Sequence, residues 1–111
     1  MSVVVVKNKV SQKDLQKASE EYAVYIKIVV DVTKETMAIG GQWHADAEKL
    51  LLSFGSDQRN LWGGGMDLKT QKLDYTALIN IRPHDGNDSM EILDKSVKKR
   101  FTAIVAEKFQ L

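Results

Sequence analysis

The chain has 111 residues, with 16 basic and 15 acidic side chains, a formal charge of +1 and no cysteine. That length holds one domain over residues 1–111, and the lack of thiols excludes disulfides, thiolate zinc centres and cysteine nucleophiles. Balanced charge gives no bulk attraction to nucleic acid or to membranes, while 43% hydrophobic residues are enough for a globular core.

In chain order, Val3 to Val6 is short and β-branched and predicts a buried strand. The run is too short for a signal-peptide core, which needs about 7–15 apolar residues, or for a membrane span of about 20. The expectation is therefore a cytoplasmic protein with no membrane contact. Ser11 opens a helix as a capping residue with Asp14 three positions on, and Leu15, Ala18 and Tyr22 form its apolar stripe. Tyr25 to Thr33 predicts a strand, with Ile26, Ile28, Val30 and Val32 on one face and Lys27, Val29 and Asp31 on the other. Lys34-Glu35 turns the chain, and Thr36 to Gly40 returns as the hairpin partner.

A second helix begins near Ala45, with Ala47, Leu50, Leu51 and Phe54 inward and Gly55 closing it. Leu61 to Leu68 predicts a strand weakened by Gly63-Gly64-Gly65. Leu73 to Arg82 alternates, with Leu73, Tyr75, Ala77, Ile79 and Ile81 facing one way, and predicts a strand that Pro83 ends. His84 to Ser89 is loop. A last helix starts between Ser89 and Lys95, with Leu93, Val97, Phe101, Ile104 and Val105 inward. The order is β-α-β-β-α-β-β-α, so the expected fold is α+β: a mixed sheet of about five strands with helices mainly on one face.

Chemistry is expected where the two hairpins end. Each carries a His there, His44 and His84, and helix N-termini favour anions. His44, Asp46 and Glu48 form the densest polar cluster. His44 and Glu48 share a helix face, and His44 with either acid would make a base with its orienting partner or a metal-ligand pair. The alternative is that the acids only complement the helix dipole and that His44 caps. The spacing is not the His-Glu-x-x-His zinc pattern, so a divalent metal stays open without being favoured, and the cofactor is unknown. Asn80 and Arg82 project from one strand face, where Arg82 would grip a carboxylate or phosphate and Asn80 or Asn87 would orient it. The alternative is that Arg82 pairs with Asp46 or Asp85, while residues 85–87 supply a turn. The glycines after Trp62 serve either a bulge or the close approach of a ligand or another backbone.

Taken together, Gly40-Gly41, His44-x-Asp46-x-Glu48, Gly55-Ser56, Leu61-Trp62-Gly63, and Asn80-Ile81-Arg82-Pro83 with Asn87 resemble a family of short prokaryotic proteins classed as a domain of unknown function. The likeness spans nearly the whole chain. It implies a compact, free-standing α+β domain and supplies no activity, substrate or cofactor. It directs attention to Gly41, His44, Asp46, Glu48, Trp62, Gly63, Asn80, Arg82 and Asn87; His84 and the two further glycines depart from its pattern.

Two functions follow. One is a ligand-binding or interaction domain with a polar pocket around His44 and Arg82, taking a small anionic molecule or a second copy of the chain. The other is a small hydrolase, metal-assisted or not, in which His44, Asp46 and Glu48 are catalytic and Gly41, Trp62, Gly63, Asn80, Arg82 and Asn87 bind the substrate. Nucleic acid is not an expected partner, since aromatic and basic residues do not interleave.

Overall fold

Four consecutive valines form β1 (Val3–Val6), the extended conformation that crowds β-branched side chains least. The computed structural model describes residues 2–20 and 22–111. Helix α1 (Gln12–Ala18) opens with the expected capping box: the Ser11 hydroxyl accepts from the Asp14 N–H at 3.0 Å, and the Asp14 carboxylate accepts from the Ser11 N–H at 3.1 Å. It stops at Ser19, whose hydroxyl donates to the Leu15 carbonyl at 2.8 Å. Tyr22 thus lies beyond the helix and is exposed rather than part of its stripe.

Strands β2 (Tyr25–Asp31) and β3 (Thr36–Gly40) make the predicted hairpin. The fully buried Asp31 holds its turn, accepting from the Thr33 and Lys34 N–H groups and from the Ser56 hydroxyl. Helix α2 (His44–Ser53) follows, and Gly55 leaves it at φ +95°, a conformation glycine adopts without strain. Then come β4 (Leu61–Asp67), β5 (Leu73–Asp74) and α3 (Lys95–Phe109).

The five strands lie in the order β1-β3-β2-β4-β5, giving the expected α+β architecture. Every pairing is antiparallel, so the sheet is not mixed. The reason is topological. The α1 crossover does set β1 and β2 parallel, but β3 inserts between them and is antiparallel to both. Alternation along the strands then builds two cores. On one face, Ala18 of α1 and Phe101, Ile104 and Val105 of α3 cover Ile26, Ile28, Val30 and Ile39. On the other, Ala47 and Leu51 of α2 cover Val3, Val29, Ala38 and Leu61. Two of the three helices share a face. Among the described residues no helix is long and apolar enough to cross a membrane.

The predicted strand Leu73–Arg82 is the main correction. Only Leu73–Asp74 pairs as β5. From there the chain folds back through two single turns, Leu78–Asn80 and Pro83–Asp85. It meets itself at isolated bridges, Thr76 with Glu91 and Arg82 with Asn87.

Candidate functional site

Beyond β5, the outer edge of β4 is completed by side chains. Asn80 is fully buried. Its carboxamide oxygen accepts from the Gly63 N–H at 2.8 Å and its nitrogen donates to the Gly63 carbonyl at 2.9 Å. One side chain therefore makes both bonds a neighbouring strand would make. The same nitrogen also reaches the carbonyls of Met90 at 2.9 Å and Tyr75 at 3.2 Å. The glycine run is what lets the surroundings close in. A Cβ on Gly63 would meet the Ala77 side chain at 2.6 Å, one on Gly64 would meet the Asp74 backbone and the Phe101 ring, and one on Gly65 would meet the Tyr25 phenol. Close approach, not a bulge, is the reason for three glycines.

Arg82 continues the edge. It is 9% exposed, and its guanidinium donates to the carbonyls of Leu61, of Arg59 at 2.9 Å and of Ile79 at 3.2 Å. Its fork lies over the Trp62 ring, 3.9 Å from the centroid, the stacked geometry that a planar cation favours. Burial pulls its pKa down, while Asp85 and Glu48 push it back up. Asn87, 3% exposed, ties the returning loop together: its nitrogen donates to the carbonyls of Asn80, Ser89 and Glu91 at 2.9–3.0 Å, and its oxygen accepts from the Leu93 N–H at 2.9 Å. Asn80, Arg82 and Asn87 thus point their polar atoms at backbone.

His44 begins α2 and is half-buried. Its Nε2 lies 2.7 Å from the Gly64 carbonyl. A carbonyl only accepts, so Nε2 carries the proton and the neutral ring keeps Nδ1 as an acceptor. Burial lowers the imidazole pKa. Lys27 lowers it further, while the Gly64 bond and Asp74 raise it. The surroundings follow from sheet register. Lys27, Gly65 and Asp74 stand opposite one another across β2, β4 and β5. Because Gly65 has no side chain, the Tyr25 ring lies across it and donates its hydroxyl to Asp74 at 2.7 Å. Burial, then that bond, raises the phenol pKa and keeps its proton on. The Lys27 ammonium sits over the exposed Tyr22 ring, 4.2 Å from its centroid.

The other expected residues divide. Asp46 accepts from the Trp43 N–H at 3.3 Å, so the acid itself caps α2, where the sequence offers it only as a complement to the helix dipole and gives the cap to His44. Gly41, at φ +86°, turns the chain from β3 into α2, and a Cβ there would meet Val3 at 2.7 Å. Glu48 faces Arg82 closely enough to raise its pKa. Glu48 Oε2 and Arg82 Nε are both buried without a hydrogen-bond partner among the described residues. His84 is exposed in the Pro83–Asp85 turn and is not among the groups that set the charge of His44. Among the described residues no three His, Asp or Glu side chains gather to hold a metal.

A protein-family model matches residues 4–108. The chain belongs to that family, Protein of unknown function (DUF5674). No curated protein and no solved structure matches it. The family description names no activity, so function in this DUF5674 chain has to be argued from its own residues. Of the expected site, the fold gathers Trp62, Gly63, Asn80, Arg82 and Asn87 into the sealed edge of β4, with Glu48 beside Arg82. It places His44 with three residues the sequence reading did not select: Tyr25, Lys27 and Asp74. The available signal was weak. Tyr25 and Lys27 are alternate residues of one strand, and a lysine on a strand face that also carries Val29 asks for a partner.

Proposed function

We propose that this chain is a ligand-binding or interaction domain whose polar site centres on His44, while Arg82 and Glu48 belong to the closed edge of β4. The carrying observation is the pinned, neutral imidazole. Its Nε2–H is held by Gly64, so Nδ1 is the group left to accept a hydrogen bond, and Lys27 supplies positive charge nearby. The ligand that fits is a small molecule with an anionic group for Lys27 and the first turn of α2, and an N–H or O–H donor for Nδ1. Arg82 does not contact this ligand, because its fork is engaged by backbone carbonyls. The hydrolase alternative keeps His44 as its base but loses Asp46 to the helix cap.

The test is an NMR titration of the 15N-labelled chain with inorganic phosphate, acetate and adenosine monophosphate. At least one probe is expected to shift the His44 ring and the Lys27 amide saturably, and K27M abolishes the response while keeping the fold. If none of the three moves either residue at millimolar concentration, the reading fails.

A further inference from the structure

The end of α2 and the turn of the β2–β3 hairpin border a cleft of about 330 Å³, at the opposite end of α2 from His44. Its floor is apolar: Val5, Leu51 and the Phe54 ring, which is 56% exposed. Its wall is polar: Lys7, Lys34, Thr36 and Ser56. Strand register assembles that wall. Val6 pairs with Met37, which carries Lys7 to the level of Thr36, and Lys34 lies in the hairpin turn just before it. The two cations are held in place. The Lys34 ammonium donates to the Gly55 carbonyl at 2.8 Å. The Lys7 ammonium lies 5.8 Å from the Phe54 centroid, and the Lys7 carbonyl accepts from the buried Lys108 ammonium at 2.8 Å.

We propose that this cleft binds a small molecule that carries a carboxylate or phosphate on an apolar or aromatic body. Charge selects the ligand. The lining holds two ammonium groups and no carboxylate, and the ion pairs among the described residues, Arg59–Asp57 and Lys98–Glu91, involve neither lysine. The nearby acids are engaged elsewhere. Asp31, behind Ser56, is fully buried and accepts from two backbone N–H groups and from the Ser56 hydroxyl. Asp14 caps α1 and borders a separate groove that also touches Lys7. Glu35 borders another cleft with Arg100. The carbonyls at the end of α2 would by themselves repel an anion, but Lys34 covers the Gly55 carbonyl beyond them and keeps two further N–H donors. An apolar floor beside a few polar groups is the usual composition of a small-molecule site, and the volume falls at the lower end of the roughly 300–1,000 Å³ such sites span. This goes beyond the His44 reading and does not depend on it.

An NMR titration of the 15N-labelled chain with benzoate and with phenyl phosphate tests it, read at the amides of Thr36, Phe54 and Ser56, with the His44 ring reporting the other site separately. At least one of the two anions is expected to shift those three amides saturably, and which one does so separates the carboxylate from the phosphate. Benzyl alcohol supplies the ring without the charge, and inorganic phosphate the charge without the ring; each should bind roughly tenfold more weakly. Lys7→Met and Lys34→Met should each weaken binding by roughly threefold. Lys34→Met also removes the Gly55 bond, so Lys7→Met decides the question if that variant does not fold. The proposal is overturned if neither anion moves the three amides at millimolar concentration, or if benzyl alcohol or inorganic phosphate binds as tightly as the better anion. Unchanged affinity in Lys7→Met overturns it as well.

Discussion

The two rims of the sheet solve the same problem differently. At β4 the strand partner runs out after Asp74, and side chains take over: Asn80 bonds Gly63 in both directions and Arg82 caps the Leu61 carbonyl. At β1 the described residues supply a strand partner on one side only, β3. Buried backbone groups must be paired, and β4 is buried along Leu61–Met66, so its rim had to be completed from within. β1 is short and half-exposed, so water or another strand can complete it. The contrast also reassigns three residues that look like a ligand grip in the sequence. Asparagine and arginine suit anion recognition because they carry several directed donors, and the same property suits them to stand in for a missing strand.

The sharpest way to break this comparison is Asn80→Ala. It leaves the Gly63 N–H and the carbonyls of Gly63, Tyr75 and Met90 without their side-chain partner. With roughly 1–3 kcal/mol for each buried group left unsatisfied, and partial relaxation, urea denaturation should register a loss of about 3–5 kcal/mol. A loss below about 1 kcal/mol would mean that the edge is not closed by this residue.

Arg82→Lys is next. It keeps the charge but loses the planar fork that reaches Leu61, Arg59 and Ile79 and stacks on Trp62. About 2 kcal/mol should be lost, and an unchanged denaturation midpoint would show that charge alone matters there. Gly65→Ala drives a methyl into the Tyr25 phenol and should cost about 1–3 kcal/mol by overpacking. In a Tyr25→Ala background most of that cost should vanish, which a double-mutant cycle reads directly. Equal costs in both backgrounds would place the strain elsewhere.

The smallest effect is electrostatic. Burial lowers the His44 pKa from its ordinary 6.5, so the unfolded chain takes up this proton at a higher pH than the folded one. Stability should therefore rise with pH through the window between the folded value and about 6.5, and change no further through this group above it. His44→Gln should flatten that part of the stability profile. A profile that keeps its slope in this variant would remove His44 as the cause.

Much of the fold is legible because it rests on local chemistry. The Ser11–Asp14 box, the alternation of Ile26, Ile28 and Val30, and the glycine after α2 each act over a few residues. Leu73–Arg82 misleads for a physical reason. Alternating polarity marks a chain with one side buried, whether it lies in a sheet or folds back beside it. Here Asn80 and Arg82 face inward through polar atoms that bond backbone, not through ladder positions. His44 is legible as a histidine at a helix start. Its neighbours Tyr25, Lys27 and Asp74 are not, because they meet only once three strands are in register around a side-chain-free Gly65. The glycine run announces that something approaches closely without saying what.

Native-state hydrogen exchange at low protein concentration compares the two rims in one measurement. The account predicts that the Gly63 amide exchanges only with global unfolding and loses that protection in Asn80→Ala, while the β1 amides that do not bond to β3 exchange fast. A Gly63 amide that exchanges as fast as those of β1 would contradict it.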